Sequence, residues 1–150
     1  MRAAIRLSLE KMRSDDGGPF GAVIVRKGKI VARGWNRVTS TNDPTAHAEI
    51  SAIRDACKKL KTFKLDDCAL YTSCEPCPMC LAAVYWARLK KIYCANTRKD
   101  AARIGFDDDL ICREMARPVA RRKISMQQLL RGAALEAFRE WKSKPDKVHY

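Results

Sequence analysis

TAHAE at residues 45–49 and SCEPCPMC at residues 73–80 are the two stretches around which the chain is organised. Between them they supply one imidazole, from His47, and two thiols three residues apart, from Cys77 and Cys80. Three such ligands can bind a zinc ion and leave its fourth position for water, which is how a catalytic zinc site differs from a structural one. The two stretches therefore predict a catalytic zinc site.

The second stretch also predicts how its two thiols are oriented. Proline is favoured at the first position of a helix, where its missing N–H group leaves no hydrogen bond unmade, so Pro78 predicts a helix with Cys77 as its N-cap. Cys80 then lies on the same face of that helix as Cys77. The free N–H groups and the positive end of the helix dipole favour thiolates there. Both sulfur atoms are therefore predicted to face one point.

The carboxylate of Glu49 lies two residues after His47. Thr45 is the predicted N-cap of a helix over residues 46–60, with His47 in its first turn. Positions i and i+2 do not share a helix face, so Glu49 is expected not to be a ligand but to take a proton from water as a general base. A closed structural zinc site with Cys74 as a fourth protein ligand is the alternative.

The rest of the chain predicts alternating strands and helices. Apolar runs separated by turn residues predict strands, and periodic apolar faces predict helices. The strands are expected near residues 21–25, 30–36, 68–72 and 92–95, and the helices near residues 2–13, 46–60, from 78 onward, 110–116 and 133–141. Residues 123–130 predict either a fifth strand or a helix. This order indicates an α/β fold with a crossover connection.

The composition narrows the class of protein. A chain of 150 residues with 47% hydrophobic and 31% charged residues has the length and composition of one globular domain. It contains no apolar run long enough to span a membrane and no recognisable signal peptide, and its seven cysteines are an odd number that argues against a disulfide framework. We therefore expect one domain over residues 1–150, in the cytoplasm and without a membrane partner.

The formal net charge of +13 is compatible with a nucleic-acid partner. The basic residues are nevertheless spread along the chain, without a dense basic arm or the interleaved aromatic residues that stack on bases. A solvated basic surface is therefore the favoured interpretation, and a nucleic-acid partner is the less favoured one.

The order H-x-E followed by P-C-x-x-C is the signature of the zinc-dependent deaminases. The chain matches this signature at residues 47–49 and 76–80. Beyond the signature, it resembles the bacterial guanine deaminases of the cytidine-deaminase fold from about Gly18 to Asp109, and more loosely to Tyr150. The segments that carry the resemblance are GPFGAVIV at 18–25, NDPTAHAE at 42–49, YTSCEPCPMC at 71–80, YWAR at 85–88 and GFDD at 105–108.

The resemblance implies a three-layer cytidine-deaminase-like fold, with a central five-stranded mixed sheet, flanking helices, and a C-terminal helical segment with a tail. It implies one zinc ion per subunit on His47, Cys77 and Cys80. It also implies a homodimer in which the C-terminal part, about residues 130–150, is exchanged between subunits and covers the partner's site. In this arrangement Asp108 assists Glu49 in proton transfer, and the residues that bind the purine base are Asn36, Phe20, Ala48, Trp86 and Tyr150.

The implied function is the hydrolytic deamination of guanine to xanthine and ammonia, with Glu49 as the general base. Two alternatives stay open. The tRNA adenosine deaminases share the zinc motifs and would explain the positive charge, although they resemble the chain less after Cys80. A zinc-stabilised interaction domain without catalytic activity is the other alternative.

Overall fold

The computed structural model describes residues 1–149. The chain divides into two compact units, Met1–Cys112 and Arg113–Tyr150, and the expectation that 1–150 act as one domain stays a prediction. None of the helices within residues 1–149 is both long enough and apolar enough to cross a membrane. In chain order the elements are α1 (Arg2–Arg13), β1 (Gly21–Arg26), β2 (Lys29–Trp35), α2 (Val38–Thr41), α3 (Ala48–Leu60), β3 (Cys68–Cys74), α4 (Pro78–Trp86), β4 (Lys91–Asn96), α5 (Arg98–Arg103), α6 (Asp108–Ala116), a 3-10 helix (Val119–Arg121) and α7 (Arg131–Ser143).

The four strands form one mixed sheet in the order β2-β1-β3-β4. β1 pairs antiparallel with both β2 and β3, whereas β3 pairs parallel with β4. Parallel neighbours need a crossover connection, because a tight turn reverses the chain direction, and α4 supplies that connection between β3 and β4. The predicted α/β architecture with a crossover is confirmed.

The helix α3 packs on the sheet against β1 and β2. Its predicted apolar face is confirmed: Ile53 is buried in the main core, and Cys57 is partly buried against the same core. Ile50, near the N-terminal end of α3, is buried in a second cluster with Cys77 and Cys80. The same helix therefore stabilises the sheet and contacts the segment that carries the two thiols.

Gly34 of β2 lets α3 approach the sheet closely. A Cβ atom at this position would lie 2.2 Å from the carbonyl oxygen of Ala48 and 2.4 Å from the backbone nitrogen of Ala52. Ala48 and Ala52 are themselves fully buried, so small residues on both sides of the contact set the distance between helix and sheet. This contact holds the N-terminal end of α3 in place.

The helix α3 begins later than the sequence predicts. Its N-cap is His47 rather than Thr45, and its first helical residue is Ala48. The Thr45 hydroxyl donates instead to Asp43 Oδ1 at 2.6 Å, and the Thr45 N–H donates to the same oxygen at 2.8 Å. An aspartate that accepts from the backbone two residues onward forms a turn, and this turn holds Thr45 outside the helix.

The predicted fifth strand is wrong for the described residues. Residues 122–130 form neither a strand nor a helix, and Ile124, Met126 and Leu130 are 85%, 67% and 83% exposed. The apolar residues at 124 and 126 have the spacing of a strand, but a strand needs a hydrogen-bonded neighbour, and residues 113–149 contain none. The predicted C-terminal helix is confirmed as α7.

Replacing Gly34 by valine is expected to destabilise the protein, because the new side chain would meet backbone atoms of α3 that cannot rotate away. Overpacking of this kind costs about 1–3 kcal/mol or more, and each kcal/mol lowers the melting temperature by roughly 2–4 °C in a chain of this size. Thermal unfolding followed by circular dichroism measures the change.

The control for this variant is Gly132→Ala. Nothing lies within 4 Å of the Cβ position at Gly132, which is in α7, and alanine is the better helix former. This variant should not lower the melting temperature. An unchanged melting temperature for Gly34→Val would contradict the close packing of α3 on β2.

Candidate active site

The side chains of His47, Cys77 and Cys80 converge at one point. His47 Nδ1 lies 3.5 Å from Cys77 Sγ and 3.5 Å from Cys80 Sγ, and the three candidate ligand atoms all lie within 4.8 Å of one another. His47 is the N-cap of α3, and Cys77 is the N-cap of α4 with Pro78 in its first turn, which confirms the predicted start of α4. Both helices begin at the same edge of the sheet, after β2 and β3.

The spacing of these three atoms fits a zinc ion. Zinc binds sulfur at about 2.3 Å and imidazole nitrogen at about 2.1 Å, so a tetrahedral ion holds the two atoms roughly 3.6 Å apart. The separations of 3.5 Å agree with this value. Thiolate and imidazole are ligands of zinc, whereas magnesium and calcium prefer oxygen. Within residues 1–149, no other group of three or more His, Cys, Asp or Glu side chains is arranged in this way.

The two thiols of the cluster differ in proton affinity. A hydrogen bond from the Cys80 thiol lowers the pKa of Cys77 to about 4, with a further contribution from His47. The same hydrogen bond, together with burial, raises the pKa of Cys80. The hydrogen bond with Cys77 also raises the pKa of His47. A bound metal ion would deprotonate both thiols, because the thiolate is the ligand form of cysteine.

Cys74 does not join the cluster. Its thiol donates to the carbonyl oxygen of Thr97 at 3.5 Å, and burial raises the pKa of Cys74 to about 12, which keeps the thiol protonated. The alternative of a closed structural site with four protein ligands is therefore not supported. A set of three protein ligands is typical of a catalytic zinc site.

Glu49 is a buried carboxylate next to the cluster. Glu49 is the second residue of α3 and is only 6% exposed. This burial raises the pKa of its carboxyl group. The Thr72 hydroxyl donates to Glu49 Oε1 at 2.9 Å. Glu49 does not belong to the group of candidate ligands, but it lines the same cavity as His47 and Cys77.

A cavity of about 310 Å³ opens on the cluster. The rings of Phe20 and Phe106 lie at its wall and meet edge to face, with ring centroids 4.7 Å apart. Asp108 also lines the cavity, and partial burial together with the negative charge of Cys77 raises its pKa. Aromatic walls with a few polar groups, in a volume at the small end of ligand pockets, suit a small aromatic ligand.

The buried side chain of Asn36 presents a hydrogen-bond donor to this cavity. Its Oδ1 accepts from the N–H of Gly18 at 3.4 Å and from the N–H of Val38 at 3.3 Å. Only the oxygen of an amide can accept, so these two contacts fix which end of the side chain is which. The Nδ2 group makes no hydrogen bond within residues 1–149, and it remains as a donor on the cavity wall.

The structure brings most of the predicted site residues together. Trp86 is an exception: it is the last residue of α4, it is 62% exposed, and it does not line the cavity. Cys80 is fully buried behind the cavity, and Tyr150 lies outside the described residues. The predicted residues that line the cavity are Phe20, Asn36, His47, Ala48, Glu49, Cys77 and Asp108.

Two residues of the site were not predicted. Phe106 lies within the GFDD segment, directly before the acidic residues that drew attention to that segment, and its ring could have been read as a cavity wall. Thr72 shares one face of β3 with Leu70 and Cys74, because alternate residues of a strand point to the same side. It is the polar residue on a face that is otherwise apolar. That single break in the apolar pattern was the available signal.

Comparison with known proteins agrees with this geometry. Residues 1–96 match the family described as the cytidine and deoxycytidylate deaminase zinc-binding region. The guanine deaminase of Bacillus subtilis strain 168 is 50% identical over 150 residues, which are 100% of this chain and 96% of that protein. The X-ray structure of guanine deaminase from Bacillus subtilis superposes on this chain with a TM-score of 0.95. The aligned part is 99% of this chain and 95% of that chain.

Similarity to the tRNA-specific adenosine deaminases is partial. The protein of Aquifex aeolicus is 46% identical over 74 residues, which are 49% of this chain and 49% of that protein. The shared part is therefore shorter than the match to the guanine deaminase, which runs the full length of the chain. The family match, the full-length relative and the convergent His and Cys ligands lead to one conclusion: the chain belongs to the zinc-binding family of cytidine and deoxycytidylate deaminases.

Proposed function

We propose that this protein is a guanine deaminase, which converts guanine and water to xanthine and ammonia. The observation that carries the proposal is the buried carboxylate of Glu49 beside three convergent zinc ligands in a cavity of about 310 Å³. This combination supports hydrolytic deamination of a small heterocycle. The full-length relative, which is a guanine deaminase, supports guanine as that heterocycle.

The proposed mechanism assigns the proton transfers to Glu49. His47, Cys77 and Cys80 would hold zinc, which would supply an activated water as the nucleophile for C2 of guanine. Glu49 accepts the proton that this water loses and delivers it to the ring nitrogen next to C2. Glu49 then takes the proton of the new C2 hydroxyl, which becomes the C2 carbonyl of xanthine. This proton passes from Glu49, directly or through Asp108, to the amino nitrogen as the C2–N bond breaks, and ammonia leaves.

The other cavity residues orient the base. Asn36 Nδ2 donates to an acceptor of the ring, and guanine offers a carbonyl oxygen and ring nitrogens for this bond. Phe20 and Ala48 contact the ring, and Phe106 lies against Phe20 on the same wall. Asp108 accepts from the N–H groups on the side of the base that carries the amino group.

The proposed location is the cytoplasm. All seven cysteines are free thiols within the described residues. A reducing compartment preserves free thiols, and the thiolate form is the one that binds zinc.

The first test is a substrate panel. Purified zinc-loaded protein is offered guanine, guanosine, cytosine, adenine and a tRNA anticodon stem, and the released ammonia is measured. We expect ammonia from guanine at the highest rate. Ammonia from the tRNA stem alone, with a steep dependence of RNA binding on salt concentration, would favour the tRNA alternative. Zinc-loaded protein that releases no ammonia at all would favour the non-catalytic alternative.

Glu49→Gln is the matched variant for this panel. It keeps the shape of the side chain but removes the carboxylate that accepts the proton, so kcat should fall by about 10²–10⁴-fold. Zinc content, measured by metal analysis, should stay at that of the wild type, because Glu49 is not a ligand. A glutamine variant with a near-wild-type rate would contradict the general-base assignment.

Asn36→Asp tests the orientation of the base. The aspartate keeps an oxygen for the N–H groups of Gly18 and Val38, but it replaces the amide donor with an acceptor. We expect KM for guanine to rise at least about tenfold, since an unmade hydrogen bond costs on the order of 1–3 kcal/mol, with an unchanged zinc content, because Asn36 is not a candidate metal ligand. An unchanged KM would contradict the donor role of Asn36, and Asn36→Ala shows the effect of losing both groups.

We also propose a homodimer in which the C-terminal part, about residues 130–150, is exchanged and covers the partner's site. Large apolar side chains with high exposure support this assembly, because such residues usually mark interfaces. They occur in both units, with Tyr85 and Trp86 at 71% and 62% exposure on α4, and Leu130 and Phe138 at 83% and 73%. In this dimer Tyr150 closes the pocket. Trp86, which does not line the cavity of the single chain, flanks the purine ring only in the assembled dimer.

Mixing two inactive variants tests the exchange. Glu49→Gln lacks the base, and Tyr150→Ala is expected to lack the residue that closes the pocket. In a random mixture half of the dimers are mixed, and each mixed dimer has one site with both residues intact, so co-expression should restore about a quarter of wild-type activity. A mixture no more active than its two components would contradict the exchange, and sedimentation measures the dimer directly.

A further inference from the structure

We propose that Thr72 is a positioning residue that holds the carboxylate of Glu49 in its reactive orientation, an inference that rests on the proposed function. The Thr72 hydroxyl donates to Glu49 Oε1 at 2.9 Å, and the two residues are only 1% and 6% exposed. A buried hydroxyl bonded to a buried carboxylate is held by that contact, because water cannot replace either partner.

The place of Thr72 in the sheet explains its rigidity. It lies in β3, with Ala22 of β1 as its partner on one side and Cys94 of β4 on the other. A residue in an inner strand has a fixed backbone, and a β-branched side chain such as threonine has few rotamers. The hydroxyl therefore stands at a fixed point beneath α3, and it can orient a side chain that has three rotatable bonds.

Metal binding leaves the hydrogen bond from Thr72 to Glu49 in place. Thr72 is not among the candidate metal ligands, so its hydroxyl does not turn away from Glu49 to bind the ion.

The hydrogen bond from Thr72 gives the two carboxylate oxygens of Glu49 different roles. Oε1 is held by Thr72, so Oε2 is the oxygen that exchanges protons with water and with the base. A catalytic group must keep its geometry closely, and a displacement of about 1 Å can cost roughly 10²-fold in rate. Loss of the Thr72 hydroxyl leaves the carboxylate without its anchor but leaves the metal ligands and the cavity walls unchanged.

Thr72→Val and Thr72→Ser form the test pair. Valine has the shape of threonine without the hydroxyl, and serine keeps the hydroxyl. For the base that the wild type deaminates fastest, we expect Thr72→Val to lower kcat by about 10–100-fold, with KM within about threefold and wild-type zinc content. Thr72→Ser should recover most of the lost rate. In a crystal structure of Thr72→Val, the Glu49 carboxylate should be displaced from its wild-type position.

Ser73→Ala is the control, since it removes a neighbouring buried hydroxyl that accepts from the Gly21 N–H at 3.0 Å and does not contact Glu49. It should lower stability without lowering kcat. A Thr72→Val variant with wild-type kcat, or with an undisplaced carboxylate, would overturn the inference. Equal losses of kcat in Thr72→Val and Thr72→Ser would also overturn it, because a purely structural role would then suffice.

The inference about Thr72 can be tested even if the valine variant does not fold or if guanine is not the substrate. If the valine variant does not fold, Thr72→Cys takes its place, because a thiol has a similar size but donates weakly, and wild-type kcat in that variant would again overturn the inference. If guanine is not the substrate, the proposed function fails, but the ratio of kcat between the variants is still measured on the base that is deaminated. The position of the carboxylate in the crystal needs no substrate.

Discussion

The close approach of α3 to β2 at Gly34 is the contact on which the active site depends. No side chain separates the glycine from the backbone at Ala48 and Ala52, so the helix axis is held by backbone atoms rather than by adaptable side chains. His47 and Glu49 flank Ala48 in sequence. The packing of Ala48 therefore fixes the positions of the metal ligand His47 and of the proposed base Glu49. Because Ala48 belongs to the close-packed core, this part of the pocket is as rigid as the core.

The second half of the site depends on where α4 begins. Pro78 is the first residue of α4, so Cys77 is the N-cap and Cys80 lies about one turn further along the helix. Because β3 also carries Thr72, this strand contributes to the site twice, once through the helix that follows it and once through its own side chain. The two cysteine ligands and the proposed general base are thus both linked to β3, which restricts changes in their separation.

Local sequence signals predicted the parts of the fold that local interactions decide. Pro78 predicted the start of α4, and the apolar period of residues 46–60 predicted the helix α3. The predicted N-cap of α3 was wrong because the Thr45 hydroxyl donates to Asp43 instead. The preference of threonine for N-cap positions does not take such a competing local hydrogen bond into account. The break in the apolar pattern of β3 singles out Thr72 but not its partner. The hydrogen bond between Thr72 and Glu49 spans 23 residues and forms only when α3 packs on the sheet, so no local pattern could predict it. The fifth strand failed for a similar reason, since a strand is defined by a neighbour as well as by its own residues.

The cavity is built from two parts of the chain, and within residues 1–149 only the first of them holds the candidate metal ligands. The three candidate zinc ligands, Glu49 and Thr72 lie within residues 1–96, the part that matches the deaminase family as a whole. Phe106 and Asp108 lie beyond that part and still line the same cavity. The proposed substrate contacts Asn36, Phe20 and Ala48 belong to the first part, whereas Phe106 and Asp108 belong to the second. No candidate metal ligand lies in the second part up to residue 149, so substitutions at Phe106 or Asp108 can change the specificity while the metal centre stays the same.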